Sequence, residues 1–85
     1  LEEEMKFEVR LENLGEGADE ATVSFWYYDP GEEVSEGEDL AEIVTDKATF
    51  NVPAPVTGRL AEIVAKEGFA VKRGDLLGTI ETKER

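Results

Sequence analysis

Gly31-Glu32-Glu33-Val34-Ser35-Glu36-Gly37-Glu38-Asp39-Leu40-Ala41-Glu42-Ile43-Val44-Thr45 has a second copy in the chain, Gly68-Phe69-Ala70-Val71-Lys72-Arg73-Gly74-Asp75-Leu76-Leu77-Gly78-Thr79-Ile80-Glu81-Thr82. At one constant offset Gly31 falls on Gly68, Val34 on Val71, Gly37 on Gly74, Leu40 on Leu77, Ile43 on Ile80 and Thr45 on Thr82. One supersecondary unit has been used twice. In each copy a Gly-x-x-Val-x-x-Gly stretch sets two positions without a Cβ around one inward valine, which suits a tight turn followed by a very short strand. Upstream, Val23 falls on Leu60 and Trp26 on Ile63; the spacing of three, where a regular strand gives two, predicts a bulge in each copy.

Outward from the repeat the chain keeps an all-β rhythm. Phe7, Val9 and Leu11 alternate with Lys6, Glu8 and Arg10 as in a half-buried strand. Further strands are predicted over Thr22–Tyr28, Glu33–Ser35, Asp39–Thr45, Ala48–Val52, Arg59–Lys66, Ala70–Lys72 and Leu76–Thr82, with Asp29-Pro30-Gly31 closing the second by turn chemistry. Neither half is large enough to bury its own apolar face. The expected solution is two small antiparallel sheets packed about an approximate two-fold axis, with Trp26 in the core. Residues 5–82 are read as the domain, 1–4 as an N-terminal extension and 83–85 as a tail or the start of a linker.

Composition narrows the function. A chain of 85 residues makes one domain at most and leaves little room for an enclosed catalytic cleft. Nine basic residues against 21 acidic give a formal net charge of −12, which repels phosphate backbones and anionic lipid, so neither nucleic acid nor membrane is an expected partner. Glu2-Glu3-Glu4, Asp19-Glu20 and the acids between Glu32 and Asp39 read as solvated face, with steering toward basic partner surfaces as the sharper alternative. The chain has no cysteine and no histidine, which removes thiolate nucleophiles, zinc clusters and histidine acid–base chemistry together. Adjacent carboxylates such as Glu32/Glu33 or Glu38/Asp39 point to opposite faces of a strand, and no calcium-loop pattern is present. No catalytic residue and no metal site is expected.

One residue stands apart. Thr45-Asp46-Lys47-Ala48 joins the two copies, and so short a connection favours a tight hairpin in which Asp46 bonds its own backbone and Lys47 projects into solvent. Its image in the second copy is Thr82-Lys83-Glu84, so the two-fold places Lys47 at one end of the molecule and both chain ends at the other.

The run Asp39-Leu40-Ala41-Glu42-Ile43-Val44-Thr45-Asp46-Lys47-Ala48, followed by Val52-Pro53-Ala54-Pro55 and Gly58, closely resembles the lipoyl-attachment signature of 2-oxo acid dehydrogenase acyltransferase subunits. Asn13-Leu14-Gly15-Glu16-Gly17 looks like that family's Leu/Ile-Gly-Glu-Gly loop, and Trp26 and Gly31 stand at its tryptophan and turn glycine. The resemblance covers about Met5 to Thr82. It implies a flattened eight-stranded barrel of two four-stranded antiparallel sheets, the barrel-sandwich hybrid, with lipoic acid amide-linked to Lys47 and with Thr45, Asp46 and Ala48 recognised by the lipoylating enzyme. It further implies a non-catalytic swinging-arm carrier of acyl groups and electrons. Its partners would be a lipoate ligase or octanoyl transferase, a thiamine-diphosphate 2-oxo acid dehydrogenase, an acyltransferase core and dihydrolipoamide dehydrogenase. The implied compartment is the cytoplasm of a bacterium or archaeon, favoured over the mitochondrial matrix. The loop Gly15, Glu16, Gly17, Ala18, Asp19 and Glu20 would help the dehydrogenase recognise its carrier.

The chain departs from the family at Glu12, where proline is usual, at Val44, where glutamate often precedes Thr-Asp-Lys, and in Ala18-Asp19-Glu20-Ala21. Two rival readings use the same fold. A biotin carrier normally sets its lysine between methionines, whereas Lys47 lies between Asp46 and Ala48 and the sole methionine is Met5. An unmodified adaptor domain would leave Lys47 an ordinary surface lysine.

Overall fold

The computed structural model describes residues 3–12 and 20–84. Eight strands run in the order β1 (Glu3–Arg10), β2 (Glu20–Trp26), β3 (Glu33–Val34), β4 (Asp39–Val44), β5 (Thr49–Pro53), β6 (Gly58–Ile63), β7 (Ala70–Lys72) and β8 (Leu76–Glu84). They form two four-stranded antiparallel sheets, ordered β1-β8-β6-β3 and β5-β4-β2-β7. Each predicted strand is present. The second and sixth stop earlier than expected, because the chain bends at Tyr27-Tyr28 and turns after Ile63.

The two copies exchange their shortest strands. β3 belongs to the first copy but pairs with β6 of the second, and β7 belongs to the second but pairs with β2 of the first. The exchange continues into the backbone beyond each strand. Gly31 N donates to Leu60 O (2.7 Å) and Leu60 N to Glu32 O (2.8 Å); in the other half Gly68 N donates to Val23 O (2.8 Å) and Val23 N to Phe69 O (2.9 Å). These are repeat-related pairs. Neither half can satisfy its own edge without the other.

β1 completes the symmetry from the opposite end of the chain. Ile43 pairs with Phe50 and Val44 with Thr49; at the matching positions Ile80 pairs with Phe7 and Glu81 with Lys6. The N-terminal strand therefore fills, beside β8, the place that β5 fills beside β4. The predicted bulges also recur as a pair, with register shifts between Val23 and Phe25 and between Leu60 and Glu62. A second matching pair lies between Asp39 and Ala41 and between Val9 and Arg10.

The expected barrel is corrected in one respect: the described residues contain no closed sheet. β3 and β7 are two and three residues long, too short to carry a ladder on both sides. Backbone pairs just beyond the strand ends, Gly37 N to Ala54 O (2.9 Å) with Ala54 N to Glu38 O (2.8 Å) and Gly74 N to Leu11 O (2.7 Å) with Leu11 N to Asp75 O (3.0 Å), extend the β4–β5 and β1–β8 pairings within their own sheets. What holds the sheets face to face is apolar packing. Leu40, Ile43, Leu60, Leu77 and Ile80 have no exposed surface, and Val34 and Val71 point inward as the repeat requires. Each such side chain contributes about 1.5–3 kcal/mol.

Gly31, Gly37, Gly68 and Gly74 all adopt positive φ, between 87° and 98°, which explains why the repeat keeps glycine at both ends of each short strand. Carboxylates help close these turns. Ser35 N donates to Glu38 Oε1 and, at the equivalent place, Lys72 N to Asp75 Oδ2, both at 2.8 Å. Part of the acidic stretch is therefore structural as well as solvated. The Tyr28 phenol beside it is pushed above the ordinary tyrosine range, first by its hydrogen bond to Glu38, then by burial, then by the charges of Glu38, Glu32 and Asp39.

Trp26 is half-buried and packs against the core, its indole Nε1 donating to Ala65 O at 2.8 Å. Gly78 lies under it. A Cβ there would sit 2.5 Å from Glu62 O and 3.2 Å from the indole ring.

Gly78→Ala is expected to lower the unfolding free energy by about 2–3 kcal/mol in urea titrations, because the obstructing atom is backbone and cannot swing aside. The Tyr28 shift also has a pH signature. A raised phenol pKa contributes stability that is complete below the unfolded value of about 10 and is lost as pH rises through the folded value. Urea midpoints should fall on that alkaline limb, and Tyr28→Phe should lessen the fall.

Candidate functional site

β4 and β5 pair up to Val44 and Thr49, and the residues between them, Thr45 to Ala48, form the hairpin end. Thr45 N donates to Ala48 O at 2.8 Å. The Thr45 hydroxyl accepts from Lys47 N (3.2 Å) and Ala48 N (3.0 Å) and donates to Ala48 O (3.2 Å). The group that closes the turn is thus Thr45, where the sequence reading assigned this to Asp46. A β-branched side chain with restricted χ1 suits that task. Threonine opening a short turn can bond the backbone ahead of it, but aspartate in the turn can do the same, so the residue types alone do not choose between Thr45 and Asp46.

Asp46, Lys47 and Ala48 are exposed, and Thr45 is half-buried as its bonds require. Among the described residues no carboxylate forms an ion pair with Lys47. The backbone of the turn is therefore fixed while the amine stays open to solvent. Among the described residues, a group joined through that amine meets no competing ion-pair partner.

Lys47 and the chain ends lie at opposite poles. Lys72 pairs with Glu20 at the start of β2, beside the hairpin end of the sheet, and the Lys72–Asp75 turn leads directly into β8. β8 then runs nine residues away to Glu84, where it still pairs with Glu3 of β1. At strand rise that is roughly 25–30 Å.

Of the loop expected to help recognition, Gly15, Glu16, Gly17, Ala18 and Asp19 lie outside the described residues. Glu20 opens β2 opposite Lys72, near the hairpin. Among the described residues no group of three or more acidic side chains is arranged to hold a metal ion.

Comparison with known proteins gives this geometry a context. The profile of the family described as "Biotin-requiring enzyme", the biotin/lipoyl attachment family, matches residues 4–80. The chain is 49% identical over 77 residues, 91% of its length, to the dihydrolipoyllysine-residue succinyltransferase component of the 2-oxoglutarate dehydrogenase complex of Bartonella vinsonii subsp. berkhoffii. It is 36% identical over 76 residues to the lipoamide acyltransferase component of the branched-chain alpha-keto acid dehydrogenase complex of Bacillus subtilis. The matched part is 19% and 18% of those proteins, so the chain spans about a fifth of the curated relatives it matches.

Among solved structures, the lipoyl domain of the 2-oxoglutarate dehydrogenase complex from Azotobacter vinelandii superposes with a TM-score of 0.69 at 37% identity, covering 86% of this chain and 92% of that one. A long-chain acyl-CoA carboxylase superposes at 0.71 but with 21% identity over 7% of its length, a likeness of fold alone. A family profile over most of the chain, relatives above 30% identity and a matching lipoyl-domain structure agree with the duplicated sheets and the free hairpin lysine. The chain belongs to the biotin/lipoyl attachment family and is a lipoyl domain, a non-catalytic carrier whose cofactor is lipoic acid held covalently on a lysine.

Proposed function

We propose that Lys47 is the lysine that bears the lipoyl group, through an amide between its ε-amine and the lipoate carboxyl. The observation that carries this reading is the hairpin itself: an exposed lysine, with no ion-pair partner among the described residues, on a turn whose backbone the Thr45 hydroxyl holds in place. When bound, the group supplies a strained dithiolane that accepts electrons and acyl groups, chemistry that belongs to the cofactor.

The protein supplies the mount. Thr45 fixes the direction in which Lys47 leaves the backbone, Asp46 and Ala48 flank it where a modifying enzyme must touch, and the apolar core holds the turn steady. Asp46 and Ala48 stand where a biotin carrier has methionines, which favours lipoate over biotin.

The setting that the relatives support is a 2-oxo acid dehydrogenase complex, and the identity of 49% favours the 2-oxoglutarate complex over the branched-chain one at 36% and the pyruvate one of Staphylococcus aureus at 34%. Partners would be a lipoate ligase or octanoyl transferase, the thiamine-diphosphate dehydrogenase, the acyltransferase core and dihydrolipoamide dehydrogenase. The relatives named are bacterial, in keeping with the cytoplasm as the compartment. Lys47 lies far from both chain ends, so a tether there leaves the tip clear and sets the effective concentration at which it meets each enzyme.

Incubation with lipoate ligase, ATP and lipoate should add one lipoyl mass to the intact protein, while biotin ligase with biotin adds none. Lys47→Arg should abolish the adduct with an unchanged urea midpoint. An adduct that persists in Lys47→Arg would place the site elsewhere. Thr45→Val should slow labelling roughly tenfold, the kinetic equivalent of about one net hydrogen bond lost from the turn.

A further inference from the structure

β1 and β5 are the end strands of their sheets, and they line one groove between them. The internal two-fold makes these edges equivalent: Phe7 is the image of Phe50, Lys6 of Thr49 and Arg10 of Pro53. They are finished differently. β5 carries no charged residue, and Pro53 withholds a backbone donor from any strand that would add there. β3 and β7, the end strands on the other side, are two and three residues long, and so short an edge discourages a further strand. β1 has eight residues and no proline, and among the described residues only β8 pairs with it.

This edge is apolar on one face and charged on the other. Met5 and Phe7 keep 40% and 39% of their surface exposed, although they alternate in step with the buried Val9. Lys6 and Glu8, also exposed, stand on the opposite face. Between Met5 and the register shift after Val9, Phe7 is the midpoint. Two antiparallel copies of one strand that keep their faces aligned meet about a single residue, and the choice of residue decides which charges meet. A dyad on Lys6 or on Glu8 sets that charge against itself. A dyad on Val9 falls at the register shift, and one on Met5 sets Phe7 against Glu3. A dyad on Phe7 sets Phe7 against Phe7, Met5 against Val9, and Lys6 against Glu8 in both directions. Every pair in the stretch is then favourable. Glu8 already holds Arg10 at 2.8 Å within the strand, and a carboxylate has acceptor capacity for a second cation.

We propose that β1 is a self-association edge, through which two copies of this chain join, antiparallel about Phe7, into one sheet of eight strands. The sequence of the strand singles out a second copy as the occupant: a strand of other sequence would meet the free backbone but not the alternation of charge. Association stops at two, because the dyad uses β1 of both copies and leaves only the short β3 at each end of the joined sheet. A formal charge of −12 on each copy opposes approach at long range, so the contact needs salt to screen it and is weak and reversible. Antiparallel pairing sends the two Lys47 hairpins to opposite ends of the dimer, where each stays open.

Sedimentation equilibrium at physiological salt, carried up to about 1 mM protein, reads the association. The average mass should climb with concentration from that of one chain and level at that of two. Lys6→Glu sets acid against acid at both charged pairs and Glu8→Lys sets base against base, so each variant alone should associate about tenfold more weakly. The second of these losses runs against net charge, which Glu8→Lys makes less repulsive. Mixed in equal amounts, the two variants should associate as the wild type does, since both charged pairs of the mixed dimer are again opposite in sign. That recovery also shows that both variants are folded. A wild type that keeps the mass of one chain throughout, single variants that associate as strongly as the wild type, a mixture as weak as its components, or a mass that grows past two chains would each overturn the proposal.

Discussion

The exchange of β3 and β7 between the two copies is the constraint on which the rest of the molecule depends. Each short strand leaves its own half and supplies the edge of the other sheet, and the backbone bonds around Gly31 and Leu60, and around Gly68 and Val23, extend that exchange. A half-molecule would expose both an unpaired edge and one face of the core. Folding is thereby made common to both halves, although the core side chains lie on two sheets that no closed ladder joins. The positive-φ glycines are a local consequence, because the chain must turn sharply before and after each exchanged strand.

From that frame the position of Lys47 follows. The two-fold makes β4 with β5 equivalent to β8 with β1, but only the first pair is joined by a hairpin. The second pair runs on to Glu3 and Glu84. One pole of the molecule is thus a closed turn and the other is where the chain enters and leaves. A carrier needs this division, since the pole that visits other proteins must not be the pole that is held. The same symmetry exposes where the two halves have diverged, the outward row Thr49, Val44, Thr22 and Ala70 next to the hairpin among those places.

Much of this was legible in the sequence. The glycine and valine spacing located the exchanged strands, and the three-residue spacing of Val23 and Trp26, repeated at Leu60 and Ile63, located both bulges, because side-chain alternation leaves a trace wherever it is broken. Periodicity says nothing about which strand lies beside which, so the exchange itself and the role of β1 as the partner of β8 needed coordinates. Closure of the barrel was implied by resemblance and not by spacing, and the short edges of β3 and β7 do not supply it. At the site, the exposure of Lys47 could be read from the turn length. The choice between Asp46 and Thr45 as the turn's fastening could not, since both side chains are able to bond a nearby backbone amide and only geometry selects Thr45. The self-complementary edge of β1 was hidden because alternation shows the two faces of a strand and not whether that strand ends a sheet.

The central claim is that the exchanged strands make one rigid body from which Lys47 projects without taking part in its stability. Native-state hydrogen exchange on the unmodified and lipoylated domain tests this most directly. The account predicts that core amides of both sheets, Ile43 and Leu60 among them, exchange through one common opening of equal free energy, and that lipoylation alters protection only in the Thr45–Ala48 turn. Separate opening of the two sheets, or a change in core protection when Lys47 is modified, would contradict it.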